Sequence, residues 1–186
     1  MSEVRERLLT EAQHLIQTVG YNGFSFRDLA NRIGIKSASI HYHFPTKADL
    51  GRAIAAQYAE VFMGRLNAQQ EAEQDADKLL AFYASLFREA LVDEGKMCLC
   101  GMLSAEASSL PSVVVDEAKQ FFETNLNWLS AVYERRAVTA KNLSDASSPR
   151  AQAEALMASL QGALVLAKGL SDPNVFDRIV LTVLPR

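Results

Sequence analysis

The five prolines of this 186-residue chain place the tightest limit on what it can fold into. Pro45, Pro111, Pro149, Pro173 and Pro185 fall between periodic segments or at the end of the chain, never inside one. A proline within a helix removes a hydrogen bond and clashes with the preceding turn, so this placement is what a chain of long helices requires. The apolar spacing agrees. Val4, Leu8, Ala12, Leu15 and Val19 recur every three or four residues. So do Leu50, Ile54, Tyr58, Val61, Phe62 and Leu66, and again Leu79, Tyr83, Leu86, Phe87 and Ala90. No stretch alternates strictly between hairpin turns, and the β-favouring run Val113, Val114, Val115 opens a long segment of helical period. The spacing predicts an all-α chain of nine helices, over 2–19, 26–33, 37–43, 47–71, 75–93, 97–108, 112–138, 149–168 and 174–183, with a polar loop at 140–148.

Composition narrows the class further. With 49% hydrophobic residues the chain is not disordered, and two cysteines are too few for a disulfide scaffold. A chain of this length buries about 70% of its unfolded surface and needs no metal or disulfide staple. The longest uncharged apolar-rich run, between Glu154 and Lys168, has 13 residues, short of the roughly 20 that a bilayer span needs. The N-terminus lacks the apolar core of a signal peptide, so a cytoplasmic protein with reduced thiols and no membrane contact is expected. The net charge of −3 argues against a nucleic-acid partner when taken over the whole chain. By position it reads differently. Residues 1–50 hold six basic and five acidic residues together with all three histidines, His14, His41 and His43; residues 51–186 hold 13 basic and 17 acidic.

The informative segment is 25–44. Ser25 and Asp28 have capping-box spacing for a helix start. Leu29, Ala30 and Ile33 give that helix a narrow apolar face, and Gly34 stands where a tight turn needs positive φ. Ser37 is placed to N-cap the next helix, whose Ile40 and Phe44 face inward. A small residue at Ala30, then Gly34 and Ile40, is the spacing of a DNA-binding helix-turn-helix. Phe24, Phe26 and Phe44 read as core wedges between short helices. From Lys36 to Lys47 there is no acid, as suits a face meant for a polyanion. Pro45, Thr46, Lys47 and Asp49 follow as a second helix start, with Lys47 expected to offer a cation to a phosphate.

These residues carry a resemblance. Gly20 to Leu50, with Tyr42-His43-Phe44 followed by Thr46-Lys47, resembles the signature of the tetracycline-repressor (TetR/AcrR) family. The likeness covers about the first fifty residues, and Ile40-His41 stands where the family more often has Leu-Tyr. It implies an N-terminal three-helix DNA-binding domain over 1–46, and a larger helical ligand-binding and dimerisation domain over 47–186. It implies DNA contacts from Arg27, Lys36, Ser37, Ser39 and His41, with Tyr42, His43, Thr46 and Lys47 at phosphate-contacting positions. The expected partner is a near-palindromic double-stranded operator, bound by a homodimer with two-fold symmetry.

The rest of the chain offers a candidate effector pocket and dimer face. The segment 112–138 is apolar on two sides, so it is expected to run centrally. Phe122, Asn125 and Trp128 from it, with Tyr58, Phe62, Tyr83, Phe87, Met102, Leu103 and Glu106, compose a mostly apolar lining with a few polar anchors. Each of these also suits an ordinary core. Leu156, Leu160, Ala163, Leu164 and Ala167, with Phe176 and Ile179, are expected at the dimer interface, since the resemblance implies a four-helix bundle from the last two helices of each copy. Cys98 and Cys100 make a poor zinc site, but beside Lys96 at a helix start they have the setting of a thiol or electrophile sensor; buried small hydrophobes are the plainer reading. No metal or cofactor is expected. Phosphate-binding glycine loops, zinc-protease motifs and nucleophile elbows are absent, and an enzyme is not expected. The function read from sequence is a ligand-responsive dimeric regulator, most simply a repressor released by a small, mostly apolar effector. A thiol-sensing repressor and an effector-independent DNA-binding dimer are the alternatives.

Overall fold

A computed structural model describes residues 3–140 and 147–185. Most of the expected polar loop over 140–148 therefore lies outside the described residues. Among them there are nine α-helices and no strand: α1 (Glu3–Val19), α2 (Phe26–Ile33), α3 (Ser37–His43), α4 (Lys47–Ala72), α5 (Ala76–Glu94), α6 (Leu99–Ala105), α7 (Ser112–Ala140), α8 (Pro149–Gly169) and α9 (Asn174–Val183). The expected helix over 97–108 is the one that changes. It is a shorter α6, interrupted at Glu106 and followed by a 3-10 turn, Ala107–Ser109. No described helix is long and apolar enough to cross a membrane.

The helices group into two compact units. The first holds residues up to Val61 together with Cys98–Phe121; the second holds Phe62–Met97 and residues from Phe122 onward. α4 and α7 each contribute residues to both. This grouping does not coincide with the division at 46 expected from sequence.

In the first unit the α1 face Leu8, Ala12 and Ile16 is fully buried, with Leu29 of α2 and Ile40 of α3 against the same core. α6 adds Leu99, Cys100 and Leu103, and it packs on α1. Local signals set the helix ends. Ser25 accepts from the Asp28 amide while Asp28 accepts from the Ser25 amide, closing a capping box at the start of α2. Gly34 ends α2 with φ +73°, its N–H returning to the Ala30 carbonyl, which turns the chain at once into α3.

The second unit is built on α5, α8 and α9, with α8 lying on both of the others. Leu79, Leu80 and Tyr83 of α5, Leu160 and Leu164 of α8, and Leu129 and Val132 of α7 are wholly buried. α8 starts as its sequence implies, with Ser148 accepting from the Ala151 amide and Pro149 in the first turn.

Candidate nucleic-acid interface

α3 brings the expected reading residues to one surface. Lys36, Ser39, His41 and Tyr42 are exposed, Ser37 and His43 half-exposed, and Tyr42 at 85% is the most exposed large aromatic of the described residues. The helix is only seven residues long. It is held by Ile40 and Phe44, which are 0% and 3% exposed and anchor it from behind. Phe26, half-buried rather than fully so, meets the His41 ring edge-on at 5.0 Å. The His41 Nδ1 lies 3.1 Å from the Pro45 carbonyl, which only accepts; Nδ1 therefore carries the hydrogen, and Nε2 of the neutral ring is the acceptor. Tyr42 and His43 meet edge to face at 5.1 Å. One local expectation changes: Ser37 is the first helical residue and Lys36 holds the cap position, with no side-chain cap bond.

Two residues expected at phosphates are committed to the protein itself. Lys47 turns its ammonium inward, donating to the Tyr21 carbonyl at 2.5 Å and to the Phe24 carbonyl. It lies 4.6 Å and 4.3 Å from the centres of those two rings. Burial holds its pKa below the usual lysine value, against the opposing pull of Glu106 and Asp28. Thr46 is engaged in the α4 cap, its hydroxyl donating to Asp49 at 2.7 Å and accepting from the Asp49 amide at 3.1 Å. The short α1–α2 connection offers two carbonyls within reach of the lysine, and both receive its ammonium. Other cations are held too. Arg7 donates to the Ile33 carbonyl at 2.9 Å, Arg32 pairs with Glu11 at 3.1 Å, and Arg5 lies over the Phe44 ring. Arg27 and Lys36 remain exposed beside the reading face.

Glu106, expected in the effector pocket, engages the turn between α1 and α2 with its carboxylate. Its Oε1 accepts from the Tyr21 amide at 2.8 Å, and its Oε2 from the Asn22 amide at 3.0 Å and the Asn22 Nδ2 at 2.8 Å. Ser109 adds a bond to Asn22 at 2.9 Å. The turn between α1 and α2 is thus held from both sides, its N–H groups by Glu106 and its carbonyls by Lys47. Nothing in the spacing around Glu106 signals this, because its partners lie about 85 residues away.

The remaining nine of the ten expected pocket residues divide between the units. Tyr58, Met102 and Leu103 belong to the first, and Phe62, Tyr83, Phe87, Phe122, Asn125 and Trp128 to the second. Tyr58 points its hydroxyl inward, 3.9 Å from the Cys98 sulfur, and burial raises the phenol well above its ordinary pKa. Cys98 and Cys100 are free thiols, 2% and 0% exposed, and burial lifts Cys100 well above the usual thiol range. That is the opposite of the thiolate a sensor needs. No group of three or more His, Cys, Asp or Glu is placed to hold a metal among the described residues.

Six of the seven expected dimer residues are also inside the chain's own core. Leu156, Leu160, Ala163, Leu164, Ala167 and Phe176 are at most 2% exposed, and only Ile179 is partly open. α8 is apolar on two sides, and periodicity marks burial without saying against what. Its outward side carries Ala155, Ala158, Gly162, Val165 and Gly169, all exposed; Leu166, Leu170 and Leu181 are exposed as well.

A capped α2, a left-handed glycine turn and a short α3 with an acid-free exposed face define a helix-turn-helix DNA-binding regulator. The family model described as bacterial regulatory proteins of the tetR family matches residues 8–54. A TetR transcriptional regulator of Legionella pneumophila is 34% identical, with 98% of this chain and 96% of that one covered and a TM-score of 0.87. A TetR-family regulator of Agrobacterium tumefaciens is 32% identical over 97% and 95% of the two chains, with a TM-score of 0.91. Among curated proteins, the HTH-type transcriptional repressor DhaR of Mycobacterium sp. (strain GP1) is 24% identical over 97% of this chain and 90% of its own length. The chain belongs to the TetR family of transcriptional regulators.

Proposed function

We propose that this protein is a dimeric operator-binding repressor that a small effector releases from DNA. The exposed, acid-free α3 is the observation that carries the reading. In this reading Lys36, Ser37, Ser39 and His41, all exposed or half-exposed, meet base edges and the adjacent backbone, and Arg27, Tyr42 and His43 meet phosphates. Few cations per copy remain exposed, so affinity must come from two copies binding together, their recognition helices one helical turn of DNA, about 34 Å, apart. Repression is supported by the likeness to DhaR, which is itself a repressor. Dimerisation is supported by the outward face of α8, where small residues at alternating three- and four-residue intervals admit a second helix closely. The effector acts by differential affinity: it favours a dimer whose reading heads are misspaced for the operator. Burial of Cys98 and Cys100 disfavours the thiol-sensing alternative.

Selection of bound duplexes from random DNA tests the reading. The expected product is a near-palindrome with half-sites about one turn apart, bound with a log–log salt slope near −0.9 per phosphate neutralised. Tyr42→Ala should weaken all sequences by a similar factor without lowering thermal stability, since the ring is exposed. His41→Ala should change preference at one base position. Recovery of no enriched sequence, or both variants binding as wild type, would refute the assignment of the reading face.

A further inference from the structure

Within the second unit, Phe62, Tyr83, Phe87 and Trp128 form one aromatic cluster. Phe62 meets Tyr83 and Phe87 edge to face at 5.8 Å and 5.7 Å, and Trp128 stacks on Tyr83 at 5.9 Å with 19° between the rings. Trp128 is 8% exposed, and its indole N–H has no acceptor among the described residues. Interiors leave very few donors in that condition, because the lost hydration is not repaid. A phenylalanine would fill an apolar site without that cost. Three residues earlier on α7, and therefore on the same helix face, Asn125 is fully buried. It is the one buried polar residue of this unit, and no charged residue of either unit is buried, among the described residues.

We infer that this cluster is the effector site, and that the effector is an uncharged, flat aromatic or conjugated molecule bearing a carbonyl-type acceptor. The inference rests on the effector-released regulator proposed above. The ring takes a place against Tyr83 and Trp128, and the acceptor oxygen receives the Trp128 N–H. A carboxylate or ammonium group would lose its water with no buried counter-charge to meet it. A plain hydrocarbon would gain the stacking but leave the indole donor unmatched.

The chain contains a single tryptophan, so one indole cross-peak in the nitrogen–proton spectrum of the labelled full chain reports this place alone. Acetophenone, ethylbenzene and benzoate are probes of similar size that differ in acceptor and charge. Acetophenone should move the indole peak downfield and saturate, ethylbenzene should bind about tenfold more weakly, and benzoate should leave the peak in place. Trp128→Phe, followed by ligand-observed binding, should bring acetophenone and ethylbenzene to equal affinity. Equal binding of acetophenone and ethylbenzene to the wild-type chain would overturn the inference. So would benzoate binding as well as the ketone, or no probe shifting the peak at millimolar concentration. Gel shifts on the selected operator separate this from the wider reading. A compound that releases DNA without moving the Trp128 peak removes this site but keeps the regulator; probes that bind as described while leaving operator affinity unchanged keep the site and remove its regulatory role.

Discussion

The ammonium of Lys47, set between two carbonyls and two ring faces, is a structural group where the spacing alone implies a DNA contact. Lys47→Ala should therefore lower the melting temperature while changing the salt slope of operator binding by less than one, which thermal melts and salt titrations would show. Asp28 gives a pH signature. The Ser25 hydroxyl and then the Ser25 amide, both donating to it, hold its carboxyl below the ordinary aspartate value. A lowered folded-state pKa means that the stabilisation is complete above the unfolded value of about 4 and is lost as pH falls through the lower folded value. Asp28→Ala should melt lower than wild type at about pH 7, with the two curves converging at the acid end of the titration. Ser25, Asp28 and Gly34 were legible because a cap and a left-handed turn are local bargains between neighbours in sequence. Lys47 was not, since the same residue type serves a phosphate or a carbonyl equally well.

At the scale of elements, α1 to α5 and α7 to α9 begin and end within a few residues of where proline, capping and apolar period place them. The exception is α6. Its sequence carries no proline or glycine at the break; the helix gives way to a 3-10 turn at the residue whose carboxylate reaches the amides of Tyr21 and Asn22. Gly20 is the complement of that contact. It has φ +86°, and a Cβ there would stand 2.5 Å from the Glu106 Oε1. Gly20→Ala should cost about 1–3 kcal/mol from backbone strain, before any loss of the carboxylate's bonds. Denaturant unfolding measures it, and Glu106→Ala in the same background should recover part of the cost by vacating the space. A cost below about 0.5 kcal/mol would show that residue 20 does not need the left-handed conformation.

For the whole molecule, the all-α class and the helix-turn-helix were readable because each depends on patterns within twenty residues. The face proposed for dimerisation is less legible, since α8 is apolar on two sides and only three-dimensional packing says which side is spent internally. Val165→Arg, on the outward side, should convert a dimer to monomers in sedimentation and weaken operator binding on the order of a hundredfold as the second half-site becomes a separate event. Leu164→Ala, one residue earlier but facing inward, should instead cost about 2–5 kcal/mol of stability and leave the association unchanged. The grip of Glu106 on the turn at Tyr21 and Asn22 bears on how such regulators are recombined. A DNA-reading module excised at residue 46 and grafted to a foreign body would leave behind both the carboxylate that takes its amides and the lysine that takes its carbonyls. The contacts that hold the turn join stretches far apart in sequence, so a graft that keeps them carries the segment around Glu106 along with α1 to α3 and the start of α4.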